Sequence, residues 1–158
     1  MEPTTKRSPV GLKIGGGEVL VGIGAALVAV SIVLRWADLA TSHTIYRRTA
    51  RGVPVKVLWD YTTSLNSTPS LLVLLIPALV LCGLGVVVLR ARVLALLGGA
   101  LAGAVGAMYI FQAHQALRTN PIAGVGLSDF LGPAPYVCIA GGAIAVLGAL
   151  WLMLRPSS

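Results

Sequence analysis

Residues 71–113 read LLVLLIPALVLCGLGVVVLRARVLALLGGALAGAVGAMYIFQA and decide the fold. They contain two uncharged apolar runs, residues 71–89 and 93–113, which are separated only by Arg90, Ala91 and Arg92. A helix rises about 1.5 Å per residue, so each run would extend roughly 30 Å, the thickness of a hydrocarbon core. Because a three-residue link allows only a tight turn, the stretch predicts an antiparallel pair of transmembrane helices.

Two further apolar segments predict two more spans. One lies at about residues 14–34, with Glu18 in the first helical turn, where the helix dipole favours an anion. The other lies at about residues 135–154 and opens with Pro135, which suits the first position of a helix. We therefore predict an all-α integral membrane protein, a four-transmembrane-helix bundle formed by a single domain at residues 14–154. Residues 1–13 are expected to be a disordered basic tail, and residues 155–158 a second tail.

Composition supports a membrane protein rather than a soluble one. Hydrophobic residues make up 56% of the chain and charged residues 11%, whereas soluble domains are about 25% charged. The 12 basic and 5 acidic residues raise the question of a nucleic-acid partner. The basic residues lie beside the apolar runs, which is typical of contact with a lipid surface. We therefore predict a lipid bilayer and not nucleic acid as the partner, and the cell membrane as the location.

The distribution of Lys and Arg predicts the orientation. Four spans place both termini on one side, and the 12 basic residues then divide into six on each side. The six on the side of the termini are the more densely spaced, and the short link at residues 90–92 carries two of them. Short basic links stay in the cytoplasm. We therefore expect a multi-pass protein with cytoplasmic N- and C-termini and an outward loop at residues 37–69.

The outer loop shows a strand pattern. Within residues 53–61, VPVKVLWDY, every second side chain from Val53 to Tyr61 is apolar, which is the period of a half-buried strand. Residues 44–46 could supply a partner strand, with a turn at residues 50–52. The sequence therefore predicts a small β-hairpin in this loop, and the alternative is an irregular loop on the lipid headgroups.

Small residues spaced about four apart mark helix-packing faces in the third and fourth spans. Such faces let two backbones approach closely in a membrane. We expect the two faces to contact each other, with homodimerisation through the same residues as the alternative. The residues are Gly99, Gly103 and Gly106 in the third span and Gly141, Ala145 and Ala149 in the fourth.

The sequence contains no recognisable catalytic or metal-binding motif. Cys82 and Cys138 lie at different depths of different spans, so we interpret them as packing residues rather than a disulfide. The chain has two histidines and no CxxC or Walker loop. Charged residues are also absent from residues 71–89, and transporters need such groups within the membrane. We therefore predict no enzyme and no cofactor, and favour an accessory or interaction protein. The alternative is a subunit of a small channel or transporter, which would require oligomerisation.

Candidate contact residues concentrate in the outer loop. Aromatic residues and arginine dominate the energetics of protein interfaces. The expected partner is another membrane protein or lipid headgroups, and the alternative is anchoring at the membrane interface without a partner. The residues are Tyr46, Arg47, Arg48, Arg51, Trp59 and Tyr61.

The layout as a whole resembles a known group. Trp36 follows the first span as an expected interfacial anchor, the first outer loop is the longer one, and the last span is rich in glycine. This arrangement resembles small actinobacterial four-span membrane proteins, including the tryptophan-operon-associated type, and more distantly the claudin-like architecture. The resemblance implies a location in the bacterial cell envelope. The claudin W-GLW-C-C signature is incomplete because the first loop has Trp36 and Trp59 but no cysteine, so claudin function is not implied.

Overall fold

The computed structural model describes residues 15–40, 45–61, 69–88 and 92–154. Within these ranges the fold is mainly helical with one short antiparallel hairpin, as predicted. Several predicted features lie outside the described residues. They are the two tails, Arg90 and Ala91 of the short link, and Thr44 of the predicted partner strand. The elements in chain order are α1 (Gly16–Val33), β1 (Arg35–Ala40), β2 (Ile45–Thr49), the 3-10 turns Ala50–Gly52 and Val55–Leu58, α2 (Leu72–Val87), α3 (Arg92–Thr119), α4 (Leu127–Phe130) and α5 (Ala134–Leu154).

Three of the described helices, α1, α3 and α5, are long and apolar enough to cross a membrane. Helix α2 is also apolar, but its described part has 16 residues and extends about 24 Å, which is less than a hydrocarbon core. The outward faces of all four helices carry large apolar side chains. Examples are Ile23 and Val30 on α1, Val73 and Ile76 on α2, Leu97 and Phe111 on α3, and Leu147 and Leu150 on α5.

The four long helices pack in a closed ring in the order α1, α5, α3, α2. Glycines allow the backbones to approach in each main contact. A Cβ atom on Gly24 of α1 would lie 2.5 Å from the carbonyl oxygen of Gly141 on α5. Likewise, a Cβ atom on Gly98 of α3 would lie 2.5 Å from the carbonyl oxygen of Ala78 on α2. Any side chain at these positions would force the helices apart.

Helices α3 and α5 pack against each other, but the predicted residues do not all meet the partners expected for them. Gly99 of α3 faces Gly142 and Ala145 of α5, with a Cβ at Gly99 2.8 Å from the Gly142 carbonyl oxygen. Gly106 faces Pro135 and Ile139 instead of the predicted set. Ala149 is fully buried.

One predicted contact residue, Gly141, was assigned to the wrong face, and another, Gly103, contributes only its backbone. Gly141 faces Leu27 and Val28 of α1 and not α3. A Cβ atom on Gly103 would meet no other heavy atom of the described chain within 4 Å, although the Gly103 backbone itself packs against Gly142 of α5. Because α5 lies between α1 and α3, it needs a small-residue face on each side. Neighbouring helical positions differ by about 100°, so Gly142, and not Gly141, serves the contact with α3.

The hairpin exists, but its strands differ from the predicted ones. β1 pairs with β2 in an antiparallel register that matches Asp38 with Arg47 and Leu39 with Tyr46. The predicted strand at residues 53–61 is wrong, because this segment contains the 3-10 turn Val55–Leu58 and, among the described residues, pairs through a single bridge between Pro54 and Ser70. Pro54 cannot donate a backbone hydrogen bond, which limits strand pairing there.

Both cysteines are free and buried within helix contacts. The Cys138 thiol donates to the carbonyl oxygen of Ala102 on α3 at 3.2 Å. A Cβ atom on Gly98 would lie 2.8 Å from the Cys82 sulfur. Each cysteine therefore acts as a small packing residue in a separate helix contact.

Candidate interaction surface and cleft

The segments that join the helices at one end of the bundle form a cap, which we define as residues 35–40, 45–61 and 127–133. The cap has no core of its own. Its buried side chains continue the core of the helix ends without a break, from Val28 and Leu75 in the helices to Val53, Val57 and Leu131 in the cap. A cap built this way is fixed in position by the bundle below it.

Trp36 is the centre of this connection. Its side chain is fully buried, so it does not serve as the lipid-facing anchor that its position predicted. The indole Nε1 donates to the carbonyl oxygen of Ser31 at 2.9 Å. The last carbonyl groups of a helix lack partners within the helix, so Trp36 caps the end of α1. The burial of a large aromatic ring also contributes strongly to the stability of the cap.

A chain of aromatic rings leads from Trp36 across the cap. The Trp36 and Tyr109 rings meet edge to face with centroids 5.2 Å apart. The Tyr61 ring follows at 6.4 Å from Tyr109 and 5.9 Å from Phe130. Burial raises the pKa of Tyr61 far above its usual range, with a smaller opposing effect from its hydrogen bond to Tyr109, so its hydroxyl stays protonated at neutral pH. Tyr61, a predicted contact residue, is therefore largely part of the framework.

The segment before α5 is attached to the hairpin by backbone contacts. The Gly132 amide donates to the Trp36 carbonyl oxygen at 3.1 Å, and Ala37 bridges to Leu131. A Cβ atom on Gly132 would overlap the Arg35 carbonyl group. Only glycine fits this close approach, which holds β1 against the segment that enters α5.

The hairpin carries exposed positive charge. Asp38 accepts hydrogen bonds from Arg35 Nη1 at 3.0 Å and from Arg47 Nε at 2.9 Å. The hydrogen bond from Arg35 is the largest cause of a lowered pKa for Asp38, so the carboxylate is ionised at neutral pH. The Arg48 guanidinium lies 5.5 Å from the centre of the Tyr46 ring. A cation over an aromatic face is favourable, and this contact orients Arg48 on the surface.

The described residues of 35–61 hold five basic and two acidic side chains and are therefore net positive. Arg48, Arg51 and Lys56 are exposed, whereas Asp38 binds Arg35 and Arg47. We call Arg48, Arg51 and Lys56 the basic face of the cap; Arg47, the neighbour of Arg48 in β2, points to the other side of the strand and binds Asp38. The predicted arginines are thus exposed, and Tyr46 supports Arg48.

A cleft of about 460 Å³ separates the cap from the last turns of α3. The predicted contact residue Trp59 lies on its rim with 59% of its surface exposed. Residues that the sequence reasoning missed form the opposite wall, because α3 continues to Thr119, beyond its predicted end at residue 113. The lining residues are Trp59, Asp60, Tyr61, Gln112, Ala113, Gln115, Ala116, Leu117, Thr119, Asn120, Ile122 and Phe130.

The missed residues did leave a signal in the sequence. Gln112, Gln115 and Thr119 recur at intervals of three and four, which places them on one face of a helix that continues past residue 113. Phe130 reaches the cleft through the single-turn helix α4, which begins where the Gly126 amide donates to Asp129 Oδ2 at 2.8 Å. Only the three-dimensional fold brings Phe130 beside Tyr61.

The opposite end of the bundle has polar groups of a different kind. The Arg92 guanidinium donates to the Leu152 carbonyl oxygen, so it caps the last turn of α5. Glu18 lies in the first turn of α1, and its Oε2 atom is buried without a hydrogen-bond partner among the described residues. In the same described part of the chain, no three His, Cys, Asp or Glu residues are grouped closely enough to hold a metal ion.

Comparisons with known protein families and with curated proteins find no match for this chain.

Proposed function

We propose that the chain is a four-span integral membrane protein whose cap is an interaction surface on the outer side of a bacterial cell membrane. The three long apolar helices support insertion into a membrane. Helix α2 joins the same ring, contacts α1 and α3, and exposes Val73, Ile76 and Val80, so it is proposed as the fourth span. Basic residues flanking the link before α3 support cytoplasmic termini and an outward cap.

The chain is proposed to be a non-enzymatic accessory protein. Its cap binds an anionic partner through the basic face. The observation that carries this proposal is that the hairpin, which bears the basic residues, is attached to the helix bundle. Trp36 and Gly132 attach the hairpin to the bundle, while Arg48 and Arg51 remain exposed. A preorganised surface loses little conformational entropy on binding. The anionic partner is a segment of another membrane protein, with anionic lipid headgroups as the competing outcome of the test.

Membrane topology can be tested by cysteine labelling in whole cells. In a Cys82→Ala/Cys138→Ala background, we expect Ile45→Cys in the cap to react with a membrane-impermeant maleimide. A cysteine at Thr5 should react only after the membrane is permeabilised. The opposite labelling pattern would reverse the orientation, and the cap would then face the cytoplasm.

The interaction itself can be tested by crosslinking. A photoreactive amino acid at Ile45, which is 73% exposed at the start of β2, should capture the partner. The double variant Arg48→Gln/Arg51→Gln should lose most of the captured product, and the charge-preserving control Arg48→Lys/Arg51→Lys should retain it. Equal capture by the Gln variant and the native protein would refute binding through the basic face. Capture of lipid alone would assign the face to headgroups.

A further inference from the structure

The two outer edges of the hairpin differ in what covers them. The outer edge of β1 is occupied by the segment that enters α5. Ala37 bridges to Leu131, and the Gly132 amide donates to the backbone of β1. Strand β2 pairs with β1 and, among the described residues, forms no other strand pair or isolated bridge. The sheet therefore offers β2 as the edge at which another strand can add.

Strand β2, Ile45–Thr49, is accessible along its length. Four of its five residues are exposed, and Tyr46 is partly buried. A strand rises about 3.4 Å per residue, so this edge extends roughly 17 Å. In an antiparallel pair, alternate residues direct their N–H and C=O groups toward the partner, and the residues between them direct theirs outward. Outward backbone groups of this kind can bind a further extended chain.

The charges of β2 disfavour a second copy of β2 as that chain. An antiparallel pairing of two copies over all five residues would place Arg47 opposite Arg47. A shift by one residue toward the carboxyl end would place Arg47 opposite Arg48. Like charges directly opposite each other destabilise a strand pair, and natural edge strands use charge to prevent self-association. The occupant that β2 favours is therefore a different chain.

The pairing with β1 shows which residue type suits β2. Arg47 lies opposite Asp38, and its Nε donates to Asp38 Oδ1 at 2.9 Å. Asp38 also binds Arg35, so one carboxylate is shared by two guanidinium groups. Arg48, on the other side of β2, contacts the ring of Tyr46. A strand added at the outer edge would place a residue beside each arginine of β2, where a carboxylate would be favourable.

We propose that the outer edge of β2 binds an extended acidic segment of another protein as a third strand of the hairpin sheet. Backbone hydrogen bonds hold the segment, and Arg47 and Arg48 select carboxylates on its two sides. The inference deepens the proposed function, and it rests on that function for the existence of a partner and for the outward position of the cap. The accessible edge and its charges follow from the described contacts alone.

The first experiment uses a synthetic peptide, acetyl-Thr-Glu-Val-Glu-Val-Glu-Thr-amide, as the probe. It is titrated into the ¹⁵N-labelled full chain in a maltoside detergent, and amide hydrogen exchange is followed by NMR. Binding should be saturable and should slow exchange at the β2 amides that do not bond to β1. No saturable binding, or protection that falls outside β2, would overturn the proposal. Slow exchange of these amides without peptide that increases with protein concentration would also overturn it, because a second copy would then occupy the edge.

N-methylated peptides separate strand addition from attraction between charges. N-methylation of every residue from the first to the last glutamate removes the donors of both peptide edges, so the dissociation constant should rise about tenfold or more. Methylation of the glutamates alone, or of the valines alone, leaves one edge intact. An added strand uses one edge, so at least one of these two isomers should bind within about threefold of the parent peptide. Equal binding of the fully methylated peptide, or equal loss in both isomers, would refute strand addition.

A protein variant tests the selection of carboxylates. Arg48→Gln should raise the dissociation constant of the parent peptide about two- to fivefold, because a cross-strand charge pair is lost. The control Arg118→Gln removes the same charge from an exposed position near the end of α3 and should leave binding unchanged. Equal weakening by the two variants would mean that net charge, and not the edge of β2, governs binding.

The outcomes for this proposal and for the basic face are separable. If Arg48→Gln/Arg51→Gln abolishes crosslinking but the fully methylated peptide binds as the parent does, the basic face stands and strand addition fails. If crosslinking survives in that variant while the peptide protects β2 in a methylation-sensitive manner, the edge of β2 stands and binding through the basic face fails.

Discussion

Replacing Gly142 with alanine should destabilise the bundle, whereas the same change at Gly103 should not. A Cβ atom at Gly142 would lie 2.6 Å from the Gly103 amide nitrogen and 2.6 Å from the Gly99 carbonyl oxygen. Both are backbone atoms, so only a separation of α3 from α5 could relieve the overlap. At Gly103 the new methyl group would meet no heavy atom of the described chain within 4 Å.

The two variants form a matched pair because both add one methyl group within a helix. Alanine favours a helix over glycine by about 0.8–1 kcal/mol, and this gain is common to both. Overpacking a well-packed contact costs about 1–3 kcal/mol, and this applies only at Gly142. The free energy of unfolding of Gly142→Ala should therefore be about 1–3 kcal/mol below that of Gly103→Ala.

The assay is reversible unfolding of the purified protein in mixed micelles of mild detergent and increasing SDS, followed by circular dichroism. The native protein and both variants are measured at one protein concentration, because self-association would also change apparent stability. Equal unfolding curves for Gly142→Ala and Gly103→Ala would refute the proposed backbone contact between α3 and α5. A larger loss at Gly103 would restore the face that the sequence alone suggested.

Three further changes test the cap. Gly132→Ala should loosen it, because the methyl group would overlap the Arg35 carbonyl group, and the loss should appear as faster proteolysis of the hairpin. The folded-state pKa of Asp38 is lowered from its ordinary value of 3.8. The ionised carboxylate therefore contributes its full stability above pH 3.8, and this contribution is lost as the pH falls through the lowered folded-state pKa. Asp38→Asn should abolish this acid-dependent loss of stability in thermal unfolding. Trp36→Ala should cost about 3–5 kcal/mol of unfolding free energy because it empties a fully buried site, whereas Trp59→Ala, at an exposed site, should cost about 0.5 kcal/mol or less in the same SDS titration.

The helical segments were predictable because length and apolar composition alone mark them. Apolar residues extend around every side of these helices, so periodicity could not show which side faces a neighbour and which faces lipid. Gly141 and Gly142 illustrate the difficulty. The two are adjacent and identical in type, yet one contacts α1 and the other contacts α3. Their assignment depends on which helices flank α5, which is a property of the whole fold.

The prediction of a strand at residues 53–61 failed for a related reason. Alternation of apolar residues indicates a strand only when one face is buried and the other is exposed. Here Val55, Val57 and Leu58 are all buried because the segment lies across the end of the bundle. A 3-10 turn places residues three apart on one side, so Val55 and Leu58 share a side here, whereas a strand would place them on opposite faces. The observed strands contain Asp38 and Arg47, which face each other across the hairpin. This charged pair stabilises the register, but it leaves no alternation of apolar residues for the sequence to show.

The contacts of Trp36 connect the hairpin to the helix bundle. One residue caps α1, packs on Tyr109 of α3, and accepts the Gly132 amide at the entry to α5. Trp36 therefore attaches the hairpin to three helices at once. If those helices are set by the bilayer, as proposed, the basic face is held at a fixed height above the membrane. A partner of matching height would then bind without reordering the hairpin, and this would reduce the entropic cost of association.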